Sequence, residues 1–193
     1  MSTTLETGGQ RADARANRAA IIAAAIACYT EQGTDVAIEE VARRAGVGRA
    51  TVYRHFPTRD SLTAGIIEQF VVEFEEIAAG LRRGPESLFE MLRVTLGLKA
   101  ANLPLFEMLP SRHEWTGEAR SLSTRVETAL AGHLEAAREA GVVRGDIDVK
   151  DVRTLVEMLA AAAGPDMPRD EQRRAWRLAR AAIGPAPDAR RGS

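Results

Sequence analysis

A tight turn, Gly46–Gly48, separates two short helical segments and constrains the fold more than any other feature of this chain. The segment before the turn, Ile38–Ala45, has two acidic residues in its first turn, where they interact favourably with the helix dipole. The segment after it begins at Arg49 and ends before Pro57, which cannot continue a helix. Two short helices joined by a turn that contains glycine form a helix-turn-helix.

The second helix of this motif has a small, basic and aromatic face. With about 100° between successive residues, Val52 and Phe56 lie about 40° apart and are predicted to face the core. Ala50 and Arg54 then lie at the centre of the opposite face. Arg54 can donate two hydrogen bonds to guanine O6 and N7, and Ala50 can approach a thymine methyl group. Because neighbouring hydroxyl and imidazole groups can donate to phosphate oxygens, this face predicts duplex DNA as its partner.

The basic residues of the chain are distributed unevenly. The whole chain has a formal net charge of −1, yet Val41–Arg59 contains five arginines and no acidic residue. Binding to DNA depends on the charge of one surface rather than on the average over the chain. This segment therefore favours a nucleic-acid partner. Arginines also cover ordinary surfaces, so a merely solvated face is the alternative.

The sequence EVARRAGVGRATVYRHFPTRDSL, residues 40–62, resembles the DNA-binding signature of TetR-type transcriptional regulators. The similarity extends upstream to Asn17, with Tyr29 in the place of an aromatic residue usual in the family. Gly48 and Ala37 depart from the pattern, since the family often has hydroxyl residues at these two helix starts. By resemblance, the expected DNA-contacting residues are Arg49, Ala50, Thr51, Tyr53, Arg54, His55 and Arg59.

The resemblance also implies the fold and the partners of the whole chain. The expected fold is all-α, with an N-terminal three-helix helix-turn-helix DNA-binding domain and a C-terminal helical domain for ligand binding and dimerisation. A homodimer would bind a pseudo-palindromic operator on double-stranded DNA. Repression relieved by a small-molecule effector is the commoner behaviour in the family, so we expect a repressor that its ligand releases.

Apolar residues recur at helical spacing along the rest of the chain, and no strand pattern is present. We predict a disordered arm over 1–16, the DNA-binding domain over 17–62, the ligand-binding and dimerisation domain over 63–183, and a tail over 184–193. The predicted helices cover about 17–32, 38–45, 49–56, 58–81, 86–102, 104–109, 119–140, 148–163 and 169–183.

Two sets of apolar residues are candidates for function in the C-terminal half. The first set is expected to line a pocket: Phe70, Phe74, Phe89, Leu92, Leu96, Phe106, Met108, Trp115 and Val126. Because this lining is mostly apolar, we expect a lipophilic ligand with one or two hydrogen-bonding groups. The second set is expected to form a four-helix dimer interface: Leu155, Leu159, Trp176, Ala179 and Ile183. The alternative for both sets is that they belong to the core of the monomer.

Composition disfavours several other classes of protein. The single cysteine, Cys28, excludes an internal disulfide framework and a cysteine-based zinc site, and the three histidines are too scattered for a local metal motif, so no metal or cofactor is expected. The longest apolar run, Ala19–Tyr29, is too short to span a membrane, and residues 1–10 do not resemble a signal peptide, so a cytoplasmic protein is expected. A small helical enzyme and a helical scaffolding module are the alternatives. No catalytic motif supports the enzyme, and the basic segment argues against the scaffold.

Overall fold

The computed structural model describes residues 3–33, 35–102, 105, 117–162 and 167–185. These residues form eight α-helices and no β-strand, which confirms the predicted all-α fold. In chain order the helices are α1 (Thr3–Gln32), α2 (Ile38–Ala45), α3 (Arg49–His55), α4 (Arg59–Gly80), α5 (Ser87–Ala101), α6 (Gly117–Glu139), α7 (Val149–Ala162) and α8 (Arg169–Ile183). Among the described helices, none is both long and apolar enough to cross a membrane.

The described residues divide into two compact units. Unit 1 contains the described residues up to Phe70 together with Leu105, and unit 2 contains the described residues from Val71 onward, Leu105 excepted. The division falls inside α4, after Phe70, and the predicted boundary between residues 62 and 63 lies in the same helix. Both units use this helix, because Ile66 is buried in the core of unit 1 and Phe74 in the core of unit 2.

The main correction to the predicted helices concerns the start of α1. This helix begins at Thr3, so helix replaces the predicted disordered arm over residues 3–16, and Asn17, where the predicted helix starts, lies inside α1. Residues 11–16 are exposed and consist mainly of alanine and arginine, which are strong helix formers. Extending a helix needs no new nucleus, so this exposed extension forms on the packed segment that follows it.

The remaining helix boundaries lie within two residues of the predicted ones. The boundaries of α2 and α8 agree at both ends. The helix predicted over 104–109 lies outside the described residues, apart from Leu105, which is helical and buried. Most of the predicted tail over 184–193 also lies outside them.

The core of unit 1 fixes α3 against the rest of the unit. Cys28 is buried within this core. Phe56, which follows α3, packs so closely on Gly65 of α4 that a Cβ atom at position 65 would lie 2.8 Å from the ring carbon Cε1. The Arg18 guanidinium covers the same ring, with its Cζ 5.3 Å from the ring centroid. The largest fully buried side chains of this core are Ile21, Tyr29, Val41, Val52, Leu62 and Ile66.

Unit 2 contains a buried polar contact between three helices. His133 of α6 is almost fully buried, and both of its ring nitrogens have a partner. Its Nδ1 lies 2.8 Å from Ser87 Oγ, and its Nε2 lies 3.0 Å from the carbonyl oxygen of Ala78 in α4. Ser87 is the first residue of α5, so this imidazole connects α4, α5 and α6 within one core.

The second half of the last helix, α8, is attached to the rest of unit 2. Arg180 donates two hydrogen bonds to the Glu86 carboxylate, at 2.6 and 2.9 Å, and its Cζ lies 4.0 Å from the centroid of the Phe89 ring. Trp176 contacts the same ring edge to face, with centroids 6.3 Å apart. Arg144 donates from its backbone N–H to the carbonyl of Ile183 at 2.9 Å. The inner face of α8 therefore belongs to the core of unit 2.

Candidate nucleic-acid interface

The turn between α2 and α3 is set by one left-handed residue. Gly46 has a φ of +69°, a conformation that glycine adopts at little cost and other residues rarely adopt. The backbone N–H of the next residue, Val47, donates to the Ala42 carbonyl at 3.0 Å. The Val47 side chain packs against the core of unit 1, which fixes the direction in which α3 leaves the turn.

The recognition helix α3 begins without a side-chain cap. Gly48 precedes it in an extended conformation, and the Gly48 carbonyl accepts hydrogen bonds from the N–H groups of Thr51 and Val52, at 2.8 and 3.2 Å. Val52 and Phe56 are buried, so the face of α3 predicted to be internal is confirmed. The opposite face of the helix points to solvent.

Five of the seven expected DNA-contacting residues are exposed, and two are partly buried. Six of them lie on α3, and the seventh is the first residue of α4. Tyr53 has 41% of its surface exposed, which is unusual for a large aromatic residue. The exposed residues are Arg49, Ala50, Tyr53, Arg54 and Arg59, and the partly buried ones are Thr51 and His55.

Side chains on the outer face of α3 contact one another. The Arg54 Nη2 donates to Thr51 Oγ1 at 3.0 Å, which leaves the Thr51 hydroxyl proton to donate elsewhere. The Arg49 Cζ lies 5.3 Å from the centroid of the Tyr53 ring, within the range of a cation–π contact. These contacts orient long side chains before any partner arrives.

Arg59 stands at the start of α4 and contacts the loop before α2. A capping box precedes it, in which Ser61 N–H donates to Thr58 Oγ1 and Thr58 N–H donates to Ser61 Oγ, each at 3.1 Å. Arg59 Nη2 donates to the carbonyl oxygen of Val36 at 2.7 Å. Besides its expected place near phosphate, Arg59 therefore connects α4 to the residues that lead into α2.

Acidic residues from outside the basic segment contact three of its five arginines. Within α2, Glu40 accepts from Arg43 at 2.6 and 2.8 Å. Between helices, Glu31 of α1 accepts two hydrogen bonds from Arg44, each at 2.5 Å, and Glu39 of α2 lies 2.7 Å from Arg49. The hydrogen bonds from these guanidiniums hold the pKa values of Glu31 and Glu40 below their usual range. The surface therefore carries fewer uncompensated positive charges than the sequence of the segment indicates.

Sequence reasoning missed these acidic partners for two different reasons. The pair of Glu40 and Arg43 is separated by three positions on one helix and could have been predicted from spacing alone. The partners of Arg44 and Arg49 lie on other helices, so only the packing of α1, α2 and α3 brings them together.

The expected pocket residues fall into three groups. Phe74, Phe89 and Leu92 are buried in the core of unit 2, and Leu96 and Val126 pack against that core. Phe70 packs against the core of unit 1 instead. Phe106, Met108 and Trp115 lie outside the described residues.

The expected interface residues on the last two helices also lie mainly inward. Ile183 is buried in the core of unit 2, and Leu155 and Trp176 pack against it. Ala179 is buried as well, and Leu159 is partly buried. These positions agree with the alternative stated above, in which the residues belong to the core of the monomer. The large apolar residues that α7 and α8 expose are Met158 and Leu178, with 66% and 61% of their surfaces accessible.

Two family models match the chain. Residues 21–66 match the model described as bacterial regulatory proteins of the tetR family. Residues 85–181 match the model described as the C-terminal domain of SbtR-like transcriptional regulators. The second match alone covers half of the chain, and the first contains the entire helix-turn-helix.

Individual proteins show the same relationship. An uncharacterised HTH-type transcriptional regulator of Mycobacterium bovis is 29% identical over 150 residues, which cover 72% of this chain and 76% of the relative. A TetR transcription regulatory protein from Mycobacterium vanbaalenii has a crystal structure that is similar with a TM-score of 0.68 and 29% identity, covering 91% of this chain and 99% of that one. The TetR regulator SCO0520 from Streptomyces coelicolor has a TM-score of 0.67 and 26% identity, covering 88% and 99%. The chain therefore belongs to the TetR family of DNA-binding transcriptional regulators.

Proposed function

We propose that this TetR-family regulator is a repressor that binds a pseudo-palindromic operator as a homodimer and leaves it when a small lipophilic molecule binds. The family assignment supports control of transcription through DNA, and the proposal adds the sign of that control and its release by a ligand. Such a regulator acts in the cytoplasm, where the DNA of a bacterial cell lies.

The exposed face of α3 is the observation that carries the proposal. Arg54 is assigned to a guanine edge and Ala50 to a thymine methyl group, because these groups match what the major groove presents. The hydroxyls of Thr51 and Tyr53 and the imidazole of His55 are assigned to phosphate oxygens, which fix the register of the helix on the duplex. Arg49 and Arg59 are assigned to phosphates on either side.

The homodimer is proposed because one recognition helix contacts only a few base pairs. Useful specificity then requires two half-sites about 34–36 Å apart, or a multiple of that spacing. The candidate positions on the protein surface are Met158 of α7 and Leu178 of α8, the large apolar residues that these two helices expose. We expect Met158→Glu combined with Leu178→Glu to shift the mass in sedimentation experiments from dimer towards monomer. A monomeric wild-type chain at micromolar concentration would refute the dimer.

The ligand is proposed to bind in unit 2, where apolar side chains dominate. Phe74, Leu92, Leu96 and Val126 belong to or border its core. An effector that weakens DNA affinity about 100-fold requires about 2.7 kcal/mol of coupling between the two sites. Candidate ligands are identified by thermal stabilisation of the protein, and operator affinity is then measured with and without the ligand in wild type and in Phe74→Ala. Unchanged release of DNA in this variant would refute the assigned pocket.

A gel-shift experiment with the DNA upstream of the chain's own coding region tests the DNA-binding role directly. The proposal expects a specific complex that survives an excess of random-sequence duplex and is lost when the ligand is added. A helical scaffolding module would form no complex. DNA binding that increases on addition of the ligand would contradict repression relieved by the ligand.

A further inference from the structure

Glu39 connects the first helix of the helix-turn-helix to the DNA-contacting face of the second. Its Oε1 lies 2.7 Å from Arg49 Nη1, and the same guanidinium lies over the ring of Tyr53. Hydrogen bonding to Tyr53 and the charge of Glu39 raise the pKa of Arg49 above its ordinary value, so Arg49 remains a cation. The Arg49 guanidinium is thus held between an acidic and an aromatic residue.

We propose that Glu39 competes with DNA phosphate for Arg49 and thereby weakens binding to DNA of any sequence. Contacts between cations and phosphates supply essentially all of the affinity for random DNA, because they release counterions. When Arg49 leaves the Glu39 carboxylate for a DNA phosphate, it exchanges one anion for another. The gain in binding free energy is therefore smaller than for an arginine that only water surrounds. Contacts to base edges do not depend on this exchange, and every duplex offers a phosphate to Arg49, so the affinities for operator and for random DNA fall by the same factor.

The ion pair is suited to competition because water reaches both partners. The Arg49 and Glu39 side chains are 61% and 56% exposed, so the pair is screened and can be broken by a phosphate at modest cost. The other two acidic partners differ in position. Glu40 pairs with Arg43 within α2, and Glu31 pairs with Arg44 between α1 and α2. Of these three ion pairs, only that of Glu39 involves α3.

The test measures the affinity of the full-length protein for a random-sequence duplex between about 50 and 200 mM salt. Glu39→Gln removes the competing charge and is expected to bind this duplex about eight-fold more tightly at about 0.1 M salt, with a salt dependence steeper by about 0.9. Glu90→Gln is the matched control, because Glu90 forms an equally exposed pair with Arg93 on α5 of unit 2 and its loss changes the net charge by the same amount. This control is expected to bind as wild type does.

A second background separates competition through Arg49 from simple repulsion between Glu39 and DNA. In Arg49→Ala, the change Glu39→Gln is expected to have little effect, since the cation that it frees is absent. A full effect in that background would overturn the proposal, as would equal affinities for Glu39→Gln and Glu90→Gln. Melting curves establish that each variant is folded.

The inference rests on the DNA-binding role proposed for α3, and the same titrations distinguish the two. If wild type binds no duplex even at about 50 mM salt, the role of α3 and the proposal fail together. If wild type binds and Glu39→Gln changes nothing, the proposal fails alone. On a duplex selected by wild type from a random pool, Glu39→Gln should gain affinity by about the same factor as on random DNA, and a gain on only one of the two duplexes would overturn competition for a phosphate-contacting arginine.

Discussion

The polar side chains on the outer face of α3 in unit 1 and the polar side chain of His133 in unit 2 lie in opposite surroundings. On α3 of unit 1 the arginines, Tyr53 and the Thr51 hydroxyl group lie on the outer face. There Arg49 contacts Glu39, and Arg54 contacts Thr51. In unit 2 the contacts of His133 with Ser87 and Ala78 lie inside the core, while pairs such as Arg93 with Glu90 are exposed. Substitutions on the outer face of α3 should therefore change binding with little change in folding, whereas substitutions in the core of unit 2 should change stability.

The largest expected effect concerns a buried aromatic ring in the core of unit 2. Phe89→Ala removes a ring that contacts both Trp176 and Arg180, and we expect it to lower the free energy of unfolding by about 3–5 kcal/mol. Tyr53→Ala removes an aromatic residue from the exposed face of α3 and should change stability by less than about 0.5 kcal/mol. Urea denaturation of both variants checks this contrast. Equal losses would show that the outer face of α3 is as important for folding as the core of unit 2.

A smaller effect tests the contact that holds α3 in unit 1. Gly65→Ala places a methyl group 2.8 Å from the Phe56 ring, so the ring must move, at an expected cost of about 1–3 kcal/mol. Gly97→Ala is the control, since position 97 lies within α5 with nothing near the added methyl group, and it should stabilise the protein by about 0.5–1 kcal/mol. Thermal denaturation measures both changes, and a stabilised Gly65→Ala would contradict the packing of Phe56.

The third prediction concerns binding without a change in folding. Arg54→Ala should lose about 1–3 kcal/mol of discrimination at one base pair of each half-site, provided that both guanidinium donors contact one guanine. Its melting temperature should match that of Arg177→Ala, which removes an exposed arginine from α8. Competition binding with single base-pair substitutions across a selected operator provides the measurement. Unchanged specificity in Arg54→Ala would show that the outer face of α3 is wrongly assigned.

The smallest expected effect is the pH dependence of an ion pair in unit 2. Hydrogen bonding to Arg125 lowers the pKa of Glu75 in the folded state. A lowered pKa in the folded state stabilises the fold above the unfolded-state pKa, and this contribution is lost as the pH falls below the unfolded-state pKa and through the folded-state pKa. Because both side chains are about one-third exposed, the contribution should stay below about 1 kcal/mol. Glu75→Gln should therefore show a slightly flatter loss of stability over this range, and an identical pH profile would contradict the prediction.

The difference between the units also explains how much could be predicted from the sequence. The bounds of α2 and α3 and the inward position of Val52 follow from local signals, namely a glycine turn, a proline and helical spacing. The predicted start of α1 was wrong because a helix can extend from a packed segment into exposed residues that have no apolar pattern of their own. The carboxylate that contacts Arg49 could not be predicted, because α2 and α3 bring it there.

The same reasoning applies to the apolar residues of unit 2. Helical spacing identified Phe89 and Leu92 as inward-facing, and the structure buries both. Spacing does not distinguish a residue that lines a pocket from one that fills a core, because both are apolar and internal. It also selected Ile183 for a dimer interface, whereas the structure buries this side chain in the core of unit 2 and exposes Leu178.

The measurement that tests the central claim most directly is the ratio of affinities for a selected operator and a scrambled duplex of equal length. Wild type should prefer the operator by at least about 10³-fold at physiological salt. A variant with Arg49, Tyr53 and Arg54 all changed to alanine should keep the wild-type melting temperature and lose nearly all of that preference. A folded variant that retained the preference, or a wild-type protein with none, would contradict the assignment of the outer face of α3 as the DNA-binding surface.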